Sequence, residues 1–333
     1  MIFYSFIWIY IFPIYLISPL ISISLNSWFS IWISIELNIM TFIPLIIFIN
    51  KYYKELVMKY FIVQSISSMM IILSSNLMNL INNLMYMEFL IFMLNISLFI
   101  KLGIPPFHYW FISLMNNMNW MNCFLLSTWQ KFTPMILIMY NNLNWLIYLF
   151  IMISSLTSIF GINHQSIRMI LAYSSINHMS WMLINLMNSQ MLWILYFISY
   201  LIINFSIMMM LSNLNINYLN EISNMKNLNM KMFLIMNFLS ISSLPPLFGF
   251  MFKWYSIYYN INNNMNLILM MIMMMSLITF FFYMKIIINL ILLNKFLNKI
   301  NILKKMFINY MNYLFMFSIL FFINIWFMSI WLY

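Results

Sequence analysis

Long apolar runs separated by short polar interruptions dominate the chain. Runs such as Leu267–Met284 are apolar on nearly every side, which is typical of membrane helices and unlike the alternating pattern of a transmembrane β-strand. Since a helix needs roughly 20 apolar residues to cross the hydrocarbon layer, about eleven crossings are predicted. They lie near residues 2–21, 27–49, 59–80, 86–113, 123–140, 145–162, 169–187, 191–212, 231–258, 265–292 and 309–332. The pattern predicts an all-α polytopic membrane protein, with residues 1–333 forming a single membrane domain.

Two of the predicted spans carry paired prolines, each beside a glycine. These residues are Gly103, Pro105 and Pro106 in the fourth span, and Pro245, Pro246 and Gly249 in the ninth. Paired prolines remove backbone donors and clash with the preceding turn, so both helices are predicted to be discontinuous. Two such spans, separated by four intact ones, are typical of an inverted-repeat transporter whose pathway passes the breaks.

Composition supports a membrane protein and points to an organellar genome. Charged residues make up 5% of the chain and hydrophobic residues 65%, whereas about a quarter of a soluble domain is charged. Aspartate is absent, Ala172 is the only alanine, and Ile, Met, Asn, Phe and Tyr dominate, as a strongly AT-biased genome would produce. Cys123 is the single cysteine, which excludes a disulfide framework and a four-thiolate iron–sulfur site.

The basic residues outside the span interiors fall on one side of the predicted membrane. Counting crossings places them on the side of the N-terminus, and the opposite loops contain no Lys or Arg. They are Lys51, Lys54, Lys59, Arg168, Lys226, Lys231, Lys295, Lys299, Lys304 and Lys305. The positive-inside rule then predicts that the N-terminus faces the matrix of a mitochondrion and the C-terminus faces the intermembrane space. Because these residues are scattered between spans, the net charge of +10 predicts no nucleic-acid partner.

Four ionisable side chains are predicted at membrane depth. They are Glu36 in the second span, Lys101 before the first break, Lys131 in the fifth span and Lys253 after the second break. Such a charge costs about 2.5–3.5 kcal/mol on insertion scales, so it normally faces a polar interior and has a function. A structural interpretation competes for the lysines, in which they bind backbone carbonyls freed at the prolines. The remaining carboxylates, and Lys285, are interpreted as solvated or snorkelling groups at span ends and in loops.

The chemistry available to these groups is proton transfer. Burial disfavours the charged forms of a glutamate and a lysine, while their mutual attraction favours them, so a buried pair responds to any charge change nearby. His108, beside the first break, and His178, in the seventh span, are candidate proton relays. Two haems with two histidine ligands each would need four histidines, and the chain has three, the third being His164 in a loop. No motif for hydride or acyl chemistry is present.

At these residues the sequence resembles a known family. The matching strings are Trp32–Asn38, Lys59–Gln64, Lys101–Trp110, Trp129–Lys131, Leu171–Met179 and Leu244–Trp254. They are similar to the subunit 2 family of mitochondrial NADH dehydrogenase, one of the antiporter-like families of respiratory complex I, the proton-translocating NADH:ubiquinone oxidoreductase. The resemblance covers nearly the whole chain, and the animal members of the family have eleven helices, which agrees with the predicted number of spans.

The resemblance implies a role for each deep charge. Glu36 is expected to pair with Lys101, Lys131 to bridge two half-channels, and Lys253 to be the terminal proton site. It also implies a multi-pass protein of the mitochondrial inner membrane whose partners are other membrane subunits of complex I and the lipid bilayer. Its small-molecule substrates would be protons and water alone. No cofactor is expected in this chain, because NADH, FMN, the iron–sulfur clusters and ubiquinone are used elsewhere in the respiratory-chain enzyme.

The chain departs from the family pattern at two places. Relatives usually continue Phe-His-Phe-Trp with a Pro-Glu pair, whereas this chain has Phe111-Ile112-Ser113 there, and Ser243 replaces a glycine common before the second Leu-Pro-Pro. These departures concern the ends of the two broken helices rather than the charged residues. The leading hypothesis is a proton-translocating subunit of complex I. A stand-alone cation/proton antiporter and a purely structural membrane subunit are the alternatives.

Overall fold

The computed structural model describes residues 2–49, 54–80, 84–141, 144–222, 228–245, 247–262 and 265–292. Within these ranges the chain is almost entirely helical, and its only β-pairing is an isolated bridge between Ser166 and Tyr218. In chain order the α-helices are α1 (Ile2–Ser24), α2 (Trp28–Ile49), α3 (Lys54–Leu80), α4 (Leu84–Leu102), α5 (Tyr109–Asn117), α6 (Trp120–Ser127), α7 (Trp129–Met139), α8 (Asn144–Thr157), α9 (Ile167–Asn188), α10 (Gln190–Leu214), α11 (Leu219–Ile222), α12 (Leu228–Ile241), α13 (Phe248–Asn262) and α14 (Asn266–Leu292). A 3₁₀ helix, Ser158–Asn163, follows α8.

The all-α fold predicted from the apolar runs is confirmed. Each predicted span from the first to the tenth coincides with one helix or with a pair of consecutive helices. The eleventh span, near 309–332, lies outside the described residues, as do Pro246 and six of the basic residues assigned to the N-terminal side, namely Lys51, Lys226, Lys295, Lys299, Lys304 and Lys305. The chain divides into two compact units at the junction between Thr157 and Ser158, and the prediction of a single membrane domain stays untested.

Five stretches of the described chain are long and apolar enough to cross a membrane unaided. They are Trp28–Ile47, Lys54–Leu80, Trp145–Asn163, Gln190–Leu214 and Asn266–Leu290. α9 is long enough but too polar, because its side chains include several serines and asparagines and His178. Every residue of α9 from Ile170 to Leu186 is buried. Since it needs no lipid-facing apolar stripe, α9 can carry polar groups through the middle of its unit.

Both predicted helix breaks are present. The first separates α4 from α5, and Gly103 takes a φ of +66° there. A side chain at position 103 would be strained in this left-handed conformation. The second separates α12 from α13. Ser243, which occupies the position where the family often has glycine, takes a φ of 58° in this second break. A Cβ on Gly249 would collide with the Ser240 carbonyl oxygen, so α13 can approach the end of α12 only through glycine.

The fifth span was predicted to be intact, and this is wrong. It is divided into α6 and α7 at Thr128, whose φ of −122° and ψ of −73° are not helical. The Thr128 hydroxyl donates to the Phe124 carbonyl at 2.6 Å, a side-chain bond that competes with the helical pattern. Pro134, one turn into α7, removes a further backbone donor. A single threonine carries no strong sequence signal for a break, which is why the interruption was missed.

In both units, helices that carry polar side chains pack against several neighbouring helices. In the first unit α3 contacts α2 and α4, and α7 packs against α1, α4 and α6. In the second unit α9 contacts α10, α13 and α14, and α10 also packs on α12 and α13. The broken helices therefore lie against intact neighbours in both units.

The positive-φ positions in the two helix breaks, Gly103 and Ser243, predict opposite effects of substitution. Gly103→Ala would place a Cβ 2.9 Å from the Phe111 Cβ in a left-handed conformation, and we expect it to destabilise the chain by about 2–3 kcal/mol. Ser243→Gly removes the free-energy cost of holding a side chain in the left-handed conformation, and we expect it to stabilise the chain by about 1 kcal/mol. Thermal aggregation of the chain in native membranes measures both. Equal aggregation temperatures for the Gly103→Ala variant and the unchanged chain would contradict this account.

Candidate functional site

The first unit brings three of the four predicted deep charges into one set of packed helices. Glu36 lies half-buried on α2, Lys101 in the last turn of α4, and Lys131 in the first turn of α7. Only 5% of Lys101 and 3% of Lys131 are exposed. Both lysines are therefore enclosed by the protein, and their predicted depth in the membrane stays a prediction.

The Lys101 ammonium is buried and donates no hydrogen bond to any described residue. Glu36, on α2, is the carboxylate predicted to compensate its charge, and the ammonium makes no direct contact with it. The Glu36–Lys101 pairing stays a prediction.

The backbone carbonyls around the first break have partners other than lysine. Pro105 cannot donate to the Lys101 carbonyl, and the Gln64 side-chain amide donates to it at 3.5 Å. The Ile100 carbonyl accepts from the Trp110 indole at 3.1 Å and from the Gly103 N–H at 3.1 Å. These side chains do what the structural interpretation assigned to the lysine. The geometry therefore does not support a carbonyl-binding role for the Lys101 ammonium.

Lys131 lies in a different electrostatic setting from Lys101. Its ammonium sits over the Phe111 ring at 4.4 Å from the ring centroid, a cation–π contact. It is the third residue of α7, near the positive end of that helix dipole, whereas Lys101 lies near the negative end of α4. The helix dipoles therefore favour a proton on Lys101 over one on Lys131.

An amide pair that sequence reasoning missed joins the helices of Glu36 and Lys131. The Asn38 Nδ2 donates to Gln130 Oε1 at 3.3 Å, and the Gln130 Nε2 donates back to Asn38 Oδ1 at 3.2 Å. The Tyr60 hydroxyl donates to the same Gln130 oxygen at 3.4 Å. The only sequence signal for this pair is that Asn38 lies two positions after Glu36 and Gln130 directly precedes Lys131.

The second unit places Lys253 and His178 on neighbouring helices. Lys253, on α13, is 8% exposed and its ammonium lies 5.7 Å from the centroid of a ring of Trp181, on α9. His178, also on α9, is 8% exposed, and its Nδ1 is 2.8 Å from the Tyr196 hydroxyl. The centroid of the Tyr200 ring lies 5.1 Å from the centroid of the His178 ring. A buried imidazole with a phenol partner is suited to exchanging protons.

A cavity of about 10 Å³, the size of one water molecule, adjoins His178 in this unit. Its walls come from α9, α10 and the two halves of the second broken helix. The lining residues are His178, Tyr196, Ser199, Tyr200, Ile203, Ser240, Ile241 and Gly249. The second break therefore borders this small space, and the role predicted for the discontinuous helix stays a prediction.

The remaining ionisable residues have mainly structural surroundings. His108 is 7% exposed, precedes α5 and stacks on Tyr109, so its relay role stays a prediction. The Glu221 carboxylate accepts the Asn217 and Tyr218 N–H groups and closes a turn. Lys231, predicted at a polar span end, is instead 3% exposed, because its side chain is enclosed near the start of α12.

Comparisons with known proteins place the chain in one family. Residues 25–279 match the family described as "NADH:quinone oxidoreductase/Mrp antiporter, TM". The chain belongs to this family. It is 37% identical over 290 residues to NADH-ubiquinone oxidoreductase chain 2 of Anopheles gambiae, covering 83% of both chains.

The same fold occurs in solved membrane complexes. A chain of respiratory complex I from Thermus thermophilus matches with a TM-score of 0.75 and 16% identity, over 82% of this chain and 68% of that one. A chain of the Mrp complex from Dietzia sp. DQ12-45-1b matches with a TM-score of 0.69 and 12% identity, over 79% and 57%. At these identities the likeness shows that the antiporter-like architecture is shared.

The Glu36–Lys101 pairing leads to a testable prediction on stability. Removing one member of a buried pair leaves the other uncompensated, so Glu36→Gln and Lys101→Met are each expected to destabilise the chain by about 3–5 kcal/mol. The double variant should cost less than the sum, because no lone charge remains. Thermal dissociation of the chain from its membrane assembly measures all three. Glu55→Gln, which removes an exposed carboxylate from α3, is the matched control, and full additivity would rule the pairing out.

Proposed function

We propose that this chain translocates protons across the mitochondrial inner membrane through Glu36, Lys101, Lys131 and Lys253. Its family and its curated relatives make it an antiporter-like membrane subunit of NADH:ubiquinone oxidoreductase. The observation that supports the residue assignment is the Lys101 ammonium, which is buried and donates no hydrogen bond to any described residue. A lysine with a purely structural task would instead hold a carbonyl or a carboxylate directly.

The proposed mechanism is a charge-coupled transfer of protons. Taking a proton from one member of the Glu36–Lys101 pair leaves the other charge without compensation, so the two sites titrate together. Lys131, on the adjacent α7, responds to the charge left behind. Lys253, beside the Trp181 ring and the second break, is the terminal site in this proposal, with His178 and His108 as relays. The route from Lys131 to Lys253 is part of the proposal.

Electron transfer belongs to other subunits in this proposal. The chain carries no nucleotide-binding fingerprint and a single cysteine, which supports the absence of flavin, iron–sulfur and quinone sites from it. Its partners are the neighbouring membrane subunits of complex I and lipid. The names of its curated relatives favour this role over that of a stand-alone antiporter.

The lysine assignment predicts a separation of pumping from electron entry. Lys131→Met or Lys253→Met should reduce proton translocation per electron at least about tenfold, because methionine keeps the volume of lysine and removes its charge. NADH oxidation with an artificial acceptor should stay within about twofold, since it uses another subunit. A pH-sensitive dye and acceptor absorbance report both in one preparation of reconstituted membranes. Lys285→Met is the control, and unchanged pumping per electron would exclude that lysine as a carrier.

Orientation is proposed from the basic residues, with the N-terminus in the matrix. Gln165 and Gln190 are both exposed and flank the two ends of α9, and Cys123 is buried. A membrane-impermeant maleimide added to mitoplasts should therefore label Gln190→Cys, whereas Gln165→Cys should react only after the membrane is opened. The unchanged chain is the control for Cys123. The reverse labelling order would invert the proposed topology.

A further inference from the structure

A reciprocal amide pair, Asn38 with Gln130, joins side chains of α2 and α7. Asn38 is 3% exposed, and Gln130 is half-buried. Within the pair each amide donates once and accepts once, so replacing either one leaves polar atoms of the other without this partner.

The position of this pair relates it to the proton-carrying groups. Asn38 follows Glu36 by two residues on α2, and Gln130 directly precedes Lys131. Gln130 is also the second residue of α7, immediately after the interruption at Thr128. Because the helical pattern is interrupted here, α6 alone does not fix the orientation of α7. Contacts to other helices therefore have to position the first turn of α7.

The surroundings make the pair a firm anchor. Tyr60 donates to Gln130 from α3, and the Tyr60 ring packs edge-on against Phe42 at 5.2 Å between centroids. Phe42 in turn stacks on Tyr15 at 5.6 Å. All three aromatic side chains are at most 1% exposed. In such an apolar setting hydrogen bonds are stronger and a broken one is costly.

We propose that Asn38 and Gln130 are positioning residues that fix Lys131 relative to Glu36, so that Lys131 responds to a change of charge in the Glu36–Lys101 pair. This inference rests on the proposed function of those two charged residues. Tyr60 takes part at both ends, because it donates to Gln130 and lies in the field of the Glu36 carboxylate. The pair carries no proton itself. It keeps the start of α7 at a set distance and orientation from α2.

The test exploits the different lengths of the two amides. Gln130→Asn or Asn38→Gln alone changes the reach of one partner by one methylene and should break the pair. The exchange Asn38→Gln with Gln130→Asn keeps both amides and their summed length. We expect each single change to lower the protons pumped per electron by about fivefold, the factor that corresponds to one ordinary hydrogen bond. The exchange should recover pumping to within about twofold of the unchanged enzyme.

The measurements are made on the assembled complex in reconstituted membranes. Pumping per electron and its pH profile are recorded together with the amount of assembled enzyme. A positioning role predicts a changed pH profile in the single variants at normal assembly, and its return in the exchange. Asn141→Leu, which removes another buried amide–amide hydrogen bond (2.8 Å, to Asn95), is the matched control and should leave the pumping ratio unchanged.

Two results overturn the inference, and they differ from failure of the proposed function. Normal pumping in both single variants would show that the pair positions nothing. An exchange variant as defective as the sum of the two single changes would show that the two amides do not act together. Lys131→Met in the same preparation distinguishes the two hypotheses. If this variant pumps normally, the proposed role of Lys131 fails. If it loses pumping while the amide variants pump normally, only the positioning role is rejected.

Discussion

A polar group within the hydrocarbon layer has to find its partner inside the protein, because lipid offers none. In the first unit, two of the carbonyls freed by proline have side-chain partners. Pro19 frees the Tyr15 carbonyl, which accepts from the Trp129 indole at 3.3 Å, and Pro105 frees the Lys101 carbonyl, which Gln64 reaches. Because neutral side chains donate to these two carbonyls, the Lys101 ammonium is not needed as their hydrogen-bond donor.

This division between neutral and charged groups gives the unit its functional character. Amides and indoles hold the irregular backbone, while the Lys101 ammonium donates no hydrogen bond to the Glu36 carboxylate. A direct ion pair would fix both charges in place. A pair without direct contact is held less firmly, so a proton gained or lost nearby can shift it.

Interruptions accompany all three deep lysines. Lys101 lies just before the break at Gly103, Lys131 three residues after Thr128, and Lys253 on the helix that begins after the second break. An interrupted helix exposes the ends of its dipoles at membrane depth, which continuous helices cannot do. In the second unit the break also borders the cavity beside His178, and only glycine at position 249 permits the approach of α13 to α12.

The sequence by itself determined the helical membrane fold, both proline breaks and the identity of the deep charges, because apolar length, paired prolines and isolated charges are properties of the chain alone. The tertiary structure decided what those charges face. The Thr128 interruption, the burial of Lys231 and the amide pair of Asn38 with Gln130 depend on contacts between helices far apart in sequence. Such contacts leave no periodic signal, since any neighbouring helix can supply the partner.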